Sequence, residues 1–160
     1  MRSDPEAVVS GLYAAWSLQD IEAVLAYCSN DIVYAVHQHS GVSGLGGDMT
    51  GKNAVRAYLK AVCEVWEFID MMPGSFDVRG DEIHEYMRFH ARHRPSGQEL
   101  IGRKRHVWLV LDGRVARCDE YQDAASLDAF MRMVGARLVA GPGLDQSRSR
   151  RGALFQRRPR

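Results

Sequence analysis

The sequence has few cysteines, and the three it holds exclude more than they suggest. Cys28, Cys63 and Cys118 lie far apart and are odd in number. With no CxxC spacing there is neither a disulfide framework nor a zinc knuckle, and a reducing, cytoplasmic setting is expected. No apolar run is long enough to span a bilayer, so no membrane partner is expected. The opening Met-Arg-Ser-Asp-Pro-Glu has neither the basic start nor the apolar stretch of a signal peptide. Charge of one sign is also missing. The net charge is +1 over 160 residues. Residues 141–160 hold six arginines and one aspartate, +5, which leaves −4 for the rest. An acidic domain with a basic tail gives no reason to expect that the domain binds nucleic acid.

What is present suits one globular domain, since 160 residues leave little room for two. Residues 1–138 read as the domain and 139–160 as a basic, disordered tail rich in Gly, Pro, Ser and Arg. Ser3 or Asp4 caps a first helix, with Pro5 in its first turn. Val9, Leu12, Tyr13 and Trp16 recur at helical spacing. Asp20 caps a second helix through Cys28, and Ile32–Val36 reads as a strand. Ser40–Gly51 reads as a glycine-rich loop suited to a flexible lid. A third helix runs from Asn53 to Trp66. A strand follows near Phe76 and Val78, then strands over Ile83–Arg94, Leu100–Leu111 and Val115–Tyr121. Asp112-Gly113 marks a tight hairpin, and Ser126–Val134 a closing helix. Helices first and hairpin-linked strands afterwards predict an α+β fold with an antiparallel sheet. A curved sheet closed by helices leaves a concave space, a usual place for a small-molecule site.

Three stretches carry a resemblance to a known superfamily. One is Ala15-Trp16-Ser17-Leu18-Gln19-Asp20-Ile21-Glu22-Ala23-Val24, running into Asn30-Asp31-Ile32-Val33-Tyr34. Another is Gly51-Lys52-Asn53-Ala54-Val55-Arg56-Ala57-Tyr58. The last is Trp108–Val115, continuing to Asp119-Glu120-Tyr121-Gln122-Asp123. Over roughly residues 7–134 the chain resembles the nuclear transport factor 2-like superfamily, with its SnoaL-like and ketosteroid isomerase-like families. The resemblance implies a cone-shaped curved antiparallel sheet packed with N-terminal helices, a cystatin-like roll. It is weaker on function, because this fold hosts isomerases, cyclases, dehydratases, hydrolases and binding proteins.

Strand parity and the resemblance together assign the inward side chains. Tyr34 and Val36 face in from the first strand. Met87, Phe89 and Ala91 do so from the long strand, Lys104, His106 and Trp108 from the next, and Cys118, Glu120 and Gln122 from the last. Trp16 joins them from the first helix. By resemblance Glu120 is the acid-base carboxylate, its pKa raised by burial; a glutamate at the pocket rim, or one paired with an arginine, is the alternative. His106 falls near the oxyanion-hole aspartate of ketosteroid isomerase, and could donate to a ligand carbonyl or be a satisfied core histidine. Tyr34 is similar to the water-positioning tyrosine of limonene epoxide hydrolase, or is a packed strand aromatic. Lys104 reads as a solvated lysine that could reach the pocket.

The departures narrow the field. Val36 stands where ketosteroid isomerase has its general base, and Met87 and Phe89 stand where the epoxide hydrolase has an arginine and an aspartate. The function expected is a small-molecule pocket protein: a cofactor-independent isomerase, cyclase or dehydratase moving a proton on an apolar, carbonyl-bearing substrate. A non-catalytic ligand-binding or dimeric interaction protein is the alternative. No metal or other cofactor is required, since His37 and His39 lack a third ligand. Val107, Leu109 and Leu111 on the outer sheet face predict a homodimer through that face.

Overall fold

The computed structural model describes residues 4–37 and 46–140, and the side chains to residue 135. Two helices open the chain, α1 (Pro5–Ser17) and α2 (Ile21–Ala26). Their starts follow the expected chemistry. Asp4 accepts from the Glu6 amide at 3.1 Å and Asp20 from the Ala23 amide at 3.0 Å, each relieving an orphan donor. Next come β1 (Cys28–His37), β2 (Gly47–Thr50), α3 (Lys52–Val65), β3 (Trp66–Pro73) and β4 (Asp77–Arg79). The long strands β5 (Glu82–His93), β6 (Glu99–Leu111) and β7 (Arg114–Gln122) precede the last helix, α4 (Ala124–Ala140). Asp112 and Gly113 both take positive φ, 50° and 73°, as the tight turn between β6 and β7 needs.

The sheet order is β2-β1-β7-β6-β5-β3, with β4 on β5. It is antiparallel except at one place, where β1 runs parallel to β7 and pairs Tyr34 with Cys118 and Val36 with Glu120. The α+β fold with a curved antiparallel sheet is as expected, and this one parallel pair is added to it. Two helices precede β1, and a helix and five strands separate it from β7, so no hairpin constrains the direction of that pair. Two expectations change. The apolar period of α3 runs on through Trp66, but Trp66 begins a strand, and residues 66–73 pair with β5. The expected loop carries β2, which pairs with β1; residues 40–45, where the lid was expected, lie outside the described residues. So does the tail from residue 141, and α4 passes the expected boundary at residue 138.

Register shifts at Phe68/Asp70 in β3 and Leu109/Val110 in β6 bend the sheet into an open cone. Its hollow closes on one stripe of α1 (Val9, Leu12, Tyr13, Trp16) and one of α3 (Val55, Leu59, Val62). Burying each large apolar side chain contributes about 1.5–3 kcal/mol, so this core holds the helices on the sheet. In a second cluster α4 packs Phe130 and Val134 with Trp66 and Ala91. Among the described residues no helix is long and apolar enough to cross a membrane.

Candidate functional site

Position along β5, β6 and β7 decides what meets inside the cone. The β6–β7 register sets His106 opposite Glu120, and the β5–β6 register sets Glu85 opposite His106. An imidazole therefore sits between two carboxylates. His106 Nδ1 lies 2.9 Å from Glu85 Oε1, and Nε2 lies 3.2 Å from Glu120 Oε2. All three residues are at least 95% buried. Tyr13 of α1 donates its hydroxyl to Glu85 and stands 3.0 Å from His106 Nδ1.

Glu120 is the most heavily bonded group. Its Oε2 accepts from the Tyr34 hydroxyl and faces His106 Nε2. Its Oε1 accepts from Gln122 Nε2 at 2.7 Å and lies 3.0 Å from Lys104 Nζ. The two oxygens have different surroundings: one is held by Tyr34 and His106, the other by Gln122 and the ammonium of Lys104.

Electrostatics reverse one expectation. Desolvation is the largest influence on Glu120 and pulls its pKa up, but the charge of Lys104, the bonds and charge of His106 and the Gln122 bond together hold the carboxyl well below the usual range. Glu120 is therefore an ionised carboxylate, not the proton-holding acid that burial alone would make. His106 shows the same contest. Desolvation pulls it down, yet Glu120 and Glu85 hold it above the ordinary imidazole value of 6.5. A doubly protonated ring also fits the geometry, since only that form donates from both nitrogens to the two carboxylates. Burial and the Glu120 charge push the Tyr34 hydroxyl far up, so it stays a donor.

Beside this cluster lies an inner chamber of about 60 Å³, walled by Trp16, Tyr34, Met87, Lys104, Trp108 and Glu120 among others. A second, outer chamber of about 60 Å³ sits under α4, with Trp66, Phe89, Leu100 and Leu127 in its walls. Both are lined by Tyr58, Val62, Phe68 and Lys104. Two buried polar atoms near the cluster have no hydrogen-bond partner, Glu85 Oε2 and Trp108 Nε1.

Most of the expected lining residues are where parity puts them, with differences. Phe89 lines the outer chamber, not the inner one. Val36 and Cys118 are buried but line neither. Cys118 is a small thiol cross-strand from the much larger Trp108 and Tyr34, and Val36 pairs with Glu120 near the strand end. Lys104 is not solvated: its side chain is 15% exposed and its charge is spent on Glu120. On the outer face His37 pairs with Asp119 at 2.8 Å and stacks on Tyr121; His39 lies outside the described residues. Among the described residues no cluster could hold a metal ion.

Glu85 and Tyr13 were not in the expected set, though both could be read. Glu85 has the parity of Met87 and Phe89, and Tyr13 lies on the apolar stripe of α1.

The profile of the SnoaL-like domain matches residues 9–118. The chain belongs to the SnoaL-like domain family. A search of curated proteins finds no match. Among solved structures, TerC co-crystallized with polyporic acid is 24% identical, with 83% of this chain and 99% of that one covered at a TM-score of 0.70. An NTF2-like protein of unknown function from Burkholderia pseudomallei is 24% identical, covering 83% and 98%, with a TM-score of 0.69. A Mesorhizobium loti protein described as a SnoaL-like polyketide cyclase is 16% identical, covering 74% and 99%, at 0.62. At these identities the likeness speaks for the SnoaL-like, NTF2-like fold.

Proposed function

We propose that this SnoaL-like protein is a cofactor-independent acid-base enzyme that moves a proton on a small, largely apolar, carbonyl-bearing molecule, by isomerisation, cyclisation or dehydration. One observation carries the reading: an ionised carboxylate, Glu120, lines a mostly apolar chamber with each of its oxygens separately held. A buried carboxylate already ionised at neutral pH can accept a proton without first losing one.

The roles follow from what each donor is spent on. Tyr34 and His106 are committed to Glu120 Oε2, so they orient the carboxylate. Oε1 takes the proton from the carbon beside the substrate carbonyl and returns it to another carbon, or to oxygen. Glu85 and Tyr13 hold His106 in its doubly protonated form. Trp108 Nε1–H, buried in the chamber wall with no protein acceptor, is the donor free to meet the developing oxyanion. The co-crystallization of TerC with polyporic acid supports a small organic ligand for this pocket.

The test needs no natural substrate. An enolisable two-ring keto acid, such as a tetralone carboxylate, is incubated in D2O and deuterium uptake at the α-carbon is followed by mass spectrometry. The wild type should accelerate exchange over buffer. Glu120→Gln should lower the rate by roughly 10²–10⁴-fold, the usual worth of a positioned base. Ligand binding with no exchange above buffer would point instead to a binding protein, the other reading the pocket supports. We also propose that the protein pairs with a second copy through the outer sheet face, where Tyr86 and Ile101 are each 66% exposed.

A further inference from the structure

Two chambers of about 60 Å³ each share a wall. Neither is large enough for an aromatic ring, since an apolar cavity of roughly 150 Å³ is what admits benzene. Even joined they fall short unless the partition itself gives way. That partition contains Tyr58, Val62, Phe68 and Lys104.

Lys104 differs from the other three in being long, flexible and charged. Its Nζ lies 3.0 Å from Glu120 Oε1 and 5.6 and 5.4 Å from the ring centroids of Phe68 and Phe89. The ammonium is thus held by one carboxylate oxygen and two aromatic faces, one ring in the shared wall and the other in the outer chamber. A swing of this side chain joins the chambers and uncovers Oε1. A neutral ligand gives the ammonium no reason to leave, because a buried ammonium parted from its carboxylate is costly. An anionic ligand supplies a replacement partner.

We propose that Lys104 is a gate between the two chambers, and that the ligand which opens it is a flat, two-ring organic acid whose anionic oxygen takes the ammonium from Glu120. This rests on the acid-base reading above and adds the charge and length of the substrate. The ligand lies with its apolar ring under α4, against Phe89 and Leu127, and its acidic oxygen at Lys104. Its entry also strips Glu120 of the strongest influence that lowers its pKa, so the base gains proton affinity when substrate is bound.

The outer chamber has a feature that fits it for a ring. Gly102 stands where an added Cβ would lie 2.6 Å from Phe89 Cζ. The missing side chain lets the Phe89 ring lie back on β6, which leaves space under α4.

Binding to the full chain is measured with three probes: naphthoate, its neutral isostere naphthamide, and the single-ring benzoate. The wild type should bind naphthoate at least tenfold tighter than naphthamide, the scale of a charge-assisted hydrogen bond, and tighter than benzoate. Lys104→Met should abolish the preference for the acid, and Lys104→Arg should retain it. Leu127→Trp, which fills the outer chamber without touching Lys104, should weaken naphthoate and leave benzoate unchanged. Equal binding of acid and amide by the wild type, a preference that survives Lys104→Met, or no binding of any probe overturns the gate. Deuterium exchange on the keto acid is a separate readout: absent exchange with intact acid preference removes the enzyme reading and leaves the gate standing.

Discussion

Removing the negative charge of Glu120 while keeping its shape should destabilise the fold sharply, and removing Lys104 with it should recover much of the loss. In Glu120→Gln the His106 imidazolium and the Lys104 ammonium remain in a space where the Glu120 side chain is 2% exposed and that of Lys104 15%. At the 3.0 Å separation of Lys104 and Glu120, an effective dielectric of about 20 gives a Coulomb attraction of about 5–6 kcal/mol. Desolvation of both groups offsets part of it, so breaking the pair from one side should cost about 3–5 kcal/mol. In Glu120→Gln/Lys104→Met neither charge of that pair is present, and the double variant should lose about 2 kcal/mol less than Glu120→Gln alone. Urea unfolding at pH 7 of the wild type, both single variants and the double variant gives all four free energies. Strictly additive losses would refute the reasoning, because they would mean that Lys104 and Glu120 do not share a buried interaction.

Other outcomes follow from the same geometry. Glu120, held well below 4.5, contributes stability that is fully present above pH 4.5 and is lost as pH falls through its folded value; His106, held above 6.5, contributes stability that is fully present below pH 6.5 and is lost as pH rises through its own. Urea midpoints across the pH range should therefore be highest between the two and fall on both sides, and a midpoint still rising above pH 8 would contradict the assignment of His106. Gly102→Ala should force the Phe89 ring to move by about 0.8 Å to reach ordinary contact from 2.6 Å, and overpacking of this kind costs about 1–3 kcal/mol; an unchanged thermal midpoint would show that the ring does not rest there. Ile101→Asp should turn a dimer into a monomer by light scattering at micromolar concentration, and a monomeric wild type would remove the proposed pairing.

Much of this fold is legible in the sequence because its signals are local. Asp20 and Pro5 set helix starts, and Asp112-Gly113 sets a hairpin. The alternation along Leu100–Leu111 sorts one face of β6 from the other. What could not be read depends on pairing between distant segments. The parallel β1–β7 contact joins Tyr34 to Cys118, which no turn residue announces. Trp66 continues the helical period of α3, and only its pairing with His93 makes it a strand residue. The site divides in the same way. Parity places Glu120, His106 and Lys104 on one face, but not the depth at which they meet. Burial read alone implies a carboxyl with a raised pKa. The opposite result comes from two cations that β6 brings to it, Lys104 and His106, and from the Gln122 hydrogen bond.

The most direct check of the site is its charge state. Side-chain NMR of the wild type, following the His106 ring and the Glu120 carboxyl through a pH titration, reads both groups at once. The expected result is an ionised Glu120 at neutral pH together with a His106 that titrates above 6.5 and falls in Glu85→Gln. A neutral His106 at pH 6, or a Glu120 that still holds its proton at pH 7, would contradict the account.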